Sequence, residues 1–222
     1  MKNLAKILAA IIIVIFIVSL TYSISSSITE KNILLRIYGE NQDYMLLTDK
    51  DVGGNWPNAY GTFLDDEKAR FIIECCESFS VDSNVVVSIL EKENPCLIVD
   101  ATSKPNLNGT RDVGLFQLND RSLYSKDGFL DKYWDSSLGE FNADNWKHST
   151  YIAVKFIGDL VKMFGDSNVY WIACAYNAGP SRAYKEWTKE DDKSYLPEST
   201  VNNYAPCVFQ NYKKWEKINP KN

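Results

Sequence analysis

Apolar residues recur three and four positions apart over much of the chain after residue 65, the spacing that puts them on one face of an α-helix. Strand patterns are scarce. The sequence therefore predicts a mostly α-helical domain, with residues 96–112 as a loop or a small hairpin. The predicted helices are DDEKARFIIECCESF from Asp65, the stretch ending in VVVSILEKENP (85–95), STYIAVKFIGDLVKMFG (149–165), NVYWIACAYNAGP (168–180), SRAYKEW (181–187) and VNNYAPCVFQNYKKWEKI (201–218).

Two glutamates, Glu91 and Glu93, end the second predicted helix and are expected on different faces. Val86, Ile89 and Leu90 form a stripe with Glu93, whereas Glu91 lies roughly 200° around the axis from Glu93 at ~100° per residue. The pattern predicts that Glu91 is solvated and that Glu93 sits at the lower end of the core-facing stripe. Partial burial would raise the pKa of Glu93, as a general acid requires. The alternative is a helix-end glutamate with a capping or salt-bridge role.

The first 25 residues have the features of a targeting segment. Lys2 and Lys6 precede the apolar run ILAAIIIVIFIV (7–18), an arrangement that marks export. The run is short for a span of ~20 residues, so both a cleaved signal peptide and a retained inner-membrane anchor formed by residues 4–22 are open. Residues 26–65 are predicted to be a linker or irregular arm, and 66–218 the folded domain. Either way the domain is expected outside the cytoplasm, in the periplasm or cell envelope.

Charge and composition exclude several classes of function. The 222 residues carry a net charge of −5, which argues against nucleic acid as a partner. Five cysteines leave at least one thiol unpaired, and their connectivity cannot be deduced. The only histidine, His148, is expected at the surface, and no Cys/His pattern indicates a metal site.

Three short segments carry the candidate chemistry: Glu93-Asn94, Gly114-Leu-Phe-Gln117 and Ala175-Tyr-Asn-Ala-Gly179. In this order they resemble the soluble lytic transglycosylase (SLT) domain family of the lysozyme superfamily, over roughly residues 66–215. Members of that family have a catalytic Glu followed by Ser, then Gly-Leu-Met-Gln, then Ala-Tyr-Asn-Ala-Gly. Here Asn94 replaces the Ser and Phe116 the Met, and the loop before Gly114 is longer than in common members. The closing stretch LPESTVNNY resembles the Glu-Thr-x-x-Tyr segment of the family with looser spacing.

The resemblance implies a lysozyme-like helical domain of the goose-type/SLT class. It also implies a peptidoglycan substrate, cut between N-acetylmuramic acid and N-acetylglucosamine with formation of a 1,6-anhydro end. Glu93 would be the single catalytic residue, and no metal or cofactor would be needed. Peptidoglycan glycan strands are the only partner implied. The implied substrate-binding residues are Asn94, Gly114, Gln117, Tyr176, Asn177 and Tyr204.

Residue chemistry gives some of these positions a physical meaning. Gly114 has no Cβ and would allow close approach of a sugar, and the amide of Gln117 can both donate and accept hydrogen bonds. In the family the tyrosine matching Tyr176 hydrogen-bonds near the glutamate, and the asparagine matching Asn177 faces the sugar. The alternatives are a core tyrosine with a satisfied hydroxyl and a helix C-cap.

Two other functions remain open from the sequence. Asp112, just before Val113-Gly114, resembles a carboxylate of animal-type lysozymes, which would make the protein a hydrolytic muramidase that uses Glu93 and Asp112. Asn108-Gly109 instead favours a turn in which Asp112 only caps backbone amides. The second alternative is a non-catalytic, glycan-binding scaffold domain of an envelope machine.

Overall fold

The computed structural model describes residues 60–61, 63–98 and 104–220, which belong to one compact unit. The predicted signal peptide or anchor (1–25) lies outside the described residues, as does the predicted arm (26–65) up to residue 59. In the described ranges, no helix combines the length and the apolar character needed to cross a membrane.

Helices dominate the described part of the chain, which confirms the mostly α prediction. A single two-stranded hairpin, β1–β2, interrupts them between α2 and α3 there. The helices are α1 (Asp66–Phe79), α2 (Ser83–Glu93), α3 (Asp120–Tyr124), α4 (Phe129–Tyr133), a 3₁₀-helix (Ser136–Leu138), α5 (Trp146–Phe164), α6 (Val169–Ala178), α7 (Pro180–Trp187), a π-helix (Thr200–Tyr204) and α8 (Ala205–Ile218).

Side-chain caps explain where the long helices begin. The carboxylate of Asp82 accepts a hydrogen bond from the backbone N–H of Asn84 and starts α2. The side chain of Asn145 caps α5 in the same way, so this helix begins at Trp146 rather than at the predicted Ser149. The three added residues, Trp146, Lys147 and His148, bring His148 into the helix.

The helices pack around one core. Helix α2 packs along α8, α1 packs on α5, and α6 contacts α5, α7 and α8. The apolar residues of the stripe predicted for α2 are buried. They form the core together with apolar residues of α5, α6 and the segment between the two strands. Residues of this core with no measurable exposure include Val86, Ile89, Leu90, Leu115, Phe116, Ile152, Ile157 and Ile172.

A small hairpin is present, but it is displaced from the stretch 96–112 considered in the sequence. Strand β1 (Asp112–Val113) pairs antiparallel with β2 (Leu118–Asn119), so the hairpin encloses the Gly-Leu-Phe-Gln segment. The predicted turn at Asn108-Gly109 precedes it, and Gly109 there has a φ of +77°. The backbone N–H of Asn106 closes this turn on the carbonyl of Thr110 at 2.7 Å.

The prediction that His148 lies at the surface is wrong. Its side chain is only 5% exposed, because the aromatic residues before α5 fold over it. The ring centroid of Trp134 lies 4.6 Å from that of His148. The imidazole Nδ1 accepts a hydrogen bond from the backbone N–H of Asn142 at 3.1 Å, so the histidine is part of the core.

The five cysteines, all within the described residues, are free thiols. Cys75 and Cys76 are adjacent in α1 and both buried, and burial raises the pKa of each thiol well above its usual range. The sequence allowed disulfides after export, and none is formed among these residues.

Part of the predicted arm contributes to the folded domain. Tyr60 is 1% exposed, and its ring packs edge-on against Trp215 of α8 with centroids 5.1 Å apart. Its hydroxyl donates to the Oδ1 atom of Asn84 in α2 at 2.7 Å. Residue 60 therefore helps to join α2 to α8.

Candidate active site

Glu93 lies at the last position of α2, and its carboxylate is the centre of the candidate site. Tyr204, 111 residues further along the chain, donates its hydroxyl hydrogen to Oε1 of Glu93. The pKa of Glu93 is raised to about 7, chiefly by burial. The hydrogen bond from Tyr204 and the ammonium of Lys92 lower the pKa, and the negative charge of Asp112 raises it further. The direction agrees with the one predicted from the helix pattern.

Tyr204 reaches Glu93 from the end of the π-helix. The backbone N–H of Ala205 donates to the carbonyl of Thr200, five residues back, which is the π-helical pattern. Pro206 follows within the first turn of α8 and has no N–H to donate, so one backbone hydrogen bond is absent at this point. Burial and the charge of Glu93 hold the pKa of Tyr204 well above its usual range, so its hydroxyl stays a donor.

The prediction that Glu91 is solvated is wrong, although the two glutamates do differ. Helix α8 covers this face of α2, and the ammonium of Lys214 lies 2.5 Å from a carboxylate oxygen of Glu91. The indole N–H of Trp215 donates to the same carboxylate at 2.9 Å. Glu91 is thus an ion-paired link between α2 and α8, whereas Glu93 is bonded to a phenol.

Asn94, directly after Glu93, uses its amide group inside the fold. The side-chain N–H₂ donates to the carbonyls of Ile98 at 3.0 Å and of Leu115 at 3.1 Å, and Oδ1 accepts from the backbone N–H of Ile98. Only 6% of the residue is exposed. Asn94 therefore ties the end of α2, directly after Glu93, to the segment between the two strands.

Gly114 makes its close approach to α5 in this structure. With a φ of +72°, a Cβ there would lie 2.7 Å from the Cβ of Ser149. The hydroxyl of Ser149 accepts a hydrogen bond from the backbone N–H of Leu115 at 3.2 Å. Gly114 is thus required for packing against α5. The sequence analysis had instead explained this glycine by the close approach of a sugar.

Gln117 follows in a left-handed conformation, with a φ of +50°. Its side-chain N–H₂ donates to the carbonyl of Gly114 at 3.0 Å, and its backbone N–H donates to the same carbonyl. These bonds fix a tight turn between the two strands. A left-handed conformation in a residue other than glycine is typical of sites where backbone geometry serves function.

Asp112 is held within the hairpin by two asparagines. Its Oδ1 accepts from the side chain of Asn119 at 2.9 Å and its Oδ2 from that of Asn106 at 3.2 Å. Its charge is close enough to raise the pKa of both Glu93 and Tyr176. The structure therefore brings the second carboxylate of the sequence analysis near the first.

Tyr176 and Asn177, in the last turn of α6, contact different parts of the site. Tyr176 donates its hydroxyl hydrogen to the buried carbonyl of Phe116 at 2.8 Å, and burial raises its pKa well above the usual range. Asn177 is exposed, and its Oδ1 accepts from the hydroxyl of Thr200 at 2.7 Å. Of the two tyrosines, Tyr204 bonds to Glu93, and Tyr176 anchors the hairpin segment beside it.

Three residues at the site were missed in the sequence: Lys92, Ser149 and Thr200. Lys92 is adjacent to Glu93, and its ammonium lies 6.0 Å from the ring centroid of Tyr204. Thr200 belongs to the closing segment that resembles Glu-Thr-x-x-Tyr, so its place in a motif was an available signal. Ser149 had no such signal, because its contact with Gly114 depends on the packing of α5.

Among the residues that the structure describes, no cluster of metal-binding side chains occurs. No group of three or more His, Cys, Asp or Glu side chains there is arranged to hold an ion.

Comparisons with known proteins bear on the fold and the family of the chain. No curated protein matches the chain. Among solved structures, the chain is similar to the X-ray structure of an inactive mutant of the lytic transglycosylase Slt from Pseudomonas aeruginosa, with 17% identity and a TM-score of 0.51. The match covers 67% of this chain but only 24% of the other. The family model for the transglycosylase SLT domain matches residues 70–197, more than half of the chain, and the chain therefore belongs to the transglycosylase SLT domain family.

Proposed function

We propose that the protein is a peptidoglycan lytic transglycosylase in which Glu93 acts first as a general acid and then as a general base. One observation carries the proposal: a carboxyl at a helix end, with a pKa of about 7, receives a hydrogen bond from a buried tyrosine. A group that must both give and take a proton works best when its pKa lies near the working pH. Membership of the SLT domain family supports the substrate class.

The first step would break the glycosidic bond. Protonated Glu93 gives its proton to the oxygen that links C1 of N-acetylmuramic acid to N-acetylglucosamine, and the C1–O bond breaks. The N-acetyl group of the substrate supports the positive charge that develops at C1. As the carboxylate forms, the Tyr204 hydroxyl already donates to it, so no group has to reorganise to stabilise the charge.

The second step would close a ring within the substrate. The carboxylate of Glu93 takes the proton from the 6-hydroxyl of the muramic acid, and O6 forms a bond to C1. Glu93 is protonated again, no water is consumed, and the product ends in 1,6-anhydro-muramic acid. One carboxyl serves both steps, as opposed to the two that most glycosidases use.

The surrounding residues would support these steps in two ways. Asn94, Gly114 and Tyr176 fix the segment between the two strands, through the contacts to Leu115, α5 and Phe116 described above. Gln117 and Asn177 remain the side chains proposed to bind the sugar. Asn177 is exposed, and its side-chain N–H₂ can donate to a sugar while Oδ1 is held by a hydroxyl.

A hydrolytic muramidase is the second candidate, and Asp112 is the observation that favours it. Its charge acts on Glu93, as that of a second carboxylate in a glycosidase would. Its two oxygens, however, already accept bonds from Asn106 and Asn119. A carboxylate satisfied by the hairpin is better suited to holding that hairpin than to directing water, so Asp112→Asn is expected to keep substantial activity.

A scaffold domain without catalysis is less well supported. Partial burial of an ionisable group costs stability. A domain that only binds glycan would gain nothing from a buried carboxyl whose pKa is raised in this way.

The proposed activity takes place at the cell wall outside the cytoplasm, which the protein would reach by export or by anchoring through residues 4–22.

Mass spectrometry of products released from purified peptidoglycan tests the proposal. Muropeptides lighter by one water than hydrolysed ones are expected, and Glu93→Gln should lower turnover at least ~100-fold with folding retained. Glu91→Gln is the matched control, since it changes a glutamate of the same helix and should leave the chemistry unaffected. If the wild type releases products with reducing ends and Asp112→Asn abolishes activity, the protein is a muramidase and not a transglycosylase. If the wild type releases no products, the scaffold domain is the function that remains.

A further inference from the structure

The π-helix that carries Tyr204 is fastened to α6 by two side-chain hydrogen bonds. The hydroxyl of Thr200 donates to Oδ1 of Asn177 at 2.7 Å. One residue later, the carbonyl of Val201 accepts a bond from the hydroxyl of Tyr170 at 3.2 Å. Both bonds hold the first turn of the π-helix, and Tyr204 lies at its end.

Thr200 cannot contact a glycan, because only 1% of it is exposed. Any effect of its hydroxyl on the reaction must pass through a neighbour. Its backbone carbonyl accepts the bond from Ala205 that closes the wide turn containing Tyr204. The hydroxyl therefore attaches to α6 the residue whose carbonyl begins this turn.

The register of that turn decides where Tyr204 points. A π-turn contains one residue more than an α-turn, and rewinding it to an α-helix would rotate the following side chains by ~100°. The phenol of Tyr204 would then leave the carboxylate of Glu93. Pro206 has no N–H and cannot favour either arrangement by a backbone bond. The side-chain bonds from Thr200 and Tyr170 are made to the π-turn as it stands, and they therefore favour it.

We propose that Thr200 is a positioning residue. The hydrogen bond from its hydroxyl to Asn177 stabilises the π-helical turn, and this turn places Tyr204 where it donates to Glu93. The catalytic meaning of the proposal rests on the proposed function. The geometric part, a link from α6 through the π-helix to the carboxylate, does not.

The titration of Glu93 reports on this link. The groups that face or influence its carboxylate are Tyr204 from the π-helix, Asp112 and Tyr176 from the hairpin and α6, and Lys92 beside it. Of these, Tyr204 alone is attached to the π-helix. Because its hydrogen bond lowers the pKa of Glu93, weakening that bond should raise the pKa while the other groups keep their influence.

The experiment compares Thr200→Val, Thr200→Ser and Tyr204→Phe in the full chain. The Glu93 carboxyl is titrated by ¹³C NMR and assigned with Glu93→Gln. Tyr204→Phe sets the upper limit, a pKa rise of ~1. Thr200→Val should give a smaller rise, Thr200→Ser should titrate as the wild type, and Thr200→Val added to Tyr204→Phe should give no further rise.

Thr200→Val is expected to fold, because it keeps the branched shape and leaves Asn177 exposed to water. Thr188→Val, which removes an exposed hydroxyl bonded to the carbonyl of Tyr184, is the matched control. A Thr200→Val variant that titrates as the wild type, or whose rise adds in full to that of Tyr204→Phe, overturns the proposal. So does a higher KM with an unchanged Glu93 pKa, since Thr200 would then only orient Asn177.

The activity measurement separates this proposal from the proposed function. On peptidoglycan, the high-pH limb of the kcat profile should move upward in Thr200→Val by as much as the NMR titration moves, and Thr200→Ser should restore it. A wild type that releases no products would defeat the proposed function alone, because the NMR titration still decides whether Thr200 positions Tyr204.

Discussion

Replacing Glu93 by glutamine should make the protein more stable above neutral pH while it removes the proposed activity. Glutamine has the shape of a protonated glutamate and keeps an oxygen that can accept the Tyr204 hydrogen bond. It cannot ionise, so it never places a charge in the partly buried site. The change therefore isolates the cost of ionising Glu93 in the folded protein.

The size of the effect follows from the pKa. Burial raises the pKa of Glu93 from an ordinary 4.5 to about 7, so the folded state binds the proton more tightly than the unfolded state does. Wild-type stability should then fall as the pH rises from about 4.5 to 7, and be lowest above this window. At ~1.4 kcal/mol per pKa unit the full difference is ~3 kcal/mol, and partial exposure of Glu93 brings the expected value to ~1–3 kcal/mol.

Urea unfolding followed by circular dichroism at pH 4 and pH 8 measures this difference. Glu93→Gln should match the wild type at pH 4 and exceed its free energy of unfolding by ~1–3 kcal/mol at pH 8. Glu91→Gln is the control with the opposite sign, because it removes the ion pair to Lys214 and should lose ~0.5–1.5 kcal/mol at pH 8. If Glu93→Gln has the same effect at both pH values, Glu93 titrates normally and the burial argument fails.

Three further changes test the surroundings of the site. Lys92→Met should raise the pKa of Glu93 and move the high-pH limb of activity upward, whereas Lys92→Arg should leave the profile in place. Tyr176→Phe should lower the free energy of unfolding by ~1–3 kcal/mol in urea, because the buried carbonyl of Phe116 loses its donor. Gly114→Ala should cost ~2–4 kcal/mol in the same assay, since a positive φ and overlap with α5 act together; a loss below ~1 kcal/mol would mean that the turn can relax.

Local periodicity predicted the features that depend on a single helix. The stripe of α2 is buried, and Glu93 at its lower end has the raised pKa expected there. The mostly helical fold and the family followed from the same helices and from three motifs in order. These features are readable because neighbouring residues determine them.

Long-range packing decided the features that were predicted wrongly or missed. Glu91 looked solvated because α8, which supplies Lys214, is 123 residues away. His148 looked exposed because the aromatic segment that covers it has no helical period. The Tyr204–Glu93 contact depends on a π-turn, whose extra residue an α-helical period does not show.

The balance of influences on Glu93 explains why these distant contacts converge on one carboxyl. Burial alone would favour the protonated group, which suits an acid but not the base that the proposed reaction needs afterwards. The hydrogen bond from Tyr204 and the charge of Lys92 act against burial, and both are already in place when the carboxylate forms. A pKa of about 7 is thus the result of burial and the charge of Asp112 on one side, and of Tyr204 and Lys92 on the other. In the proposed reaction, removing either side would leave a group suited to only one of the two proton transfers.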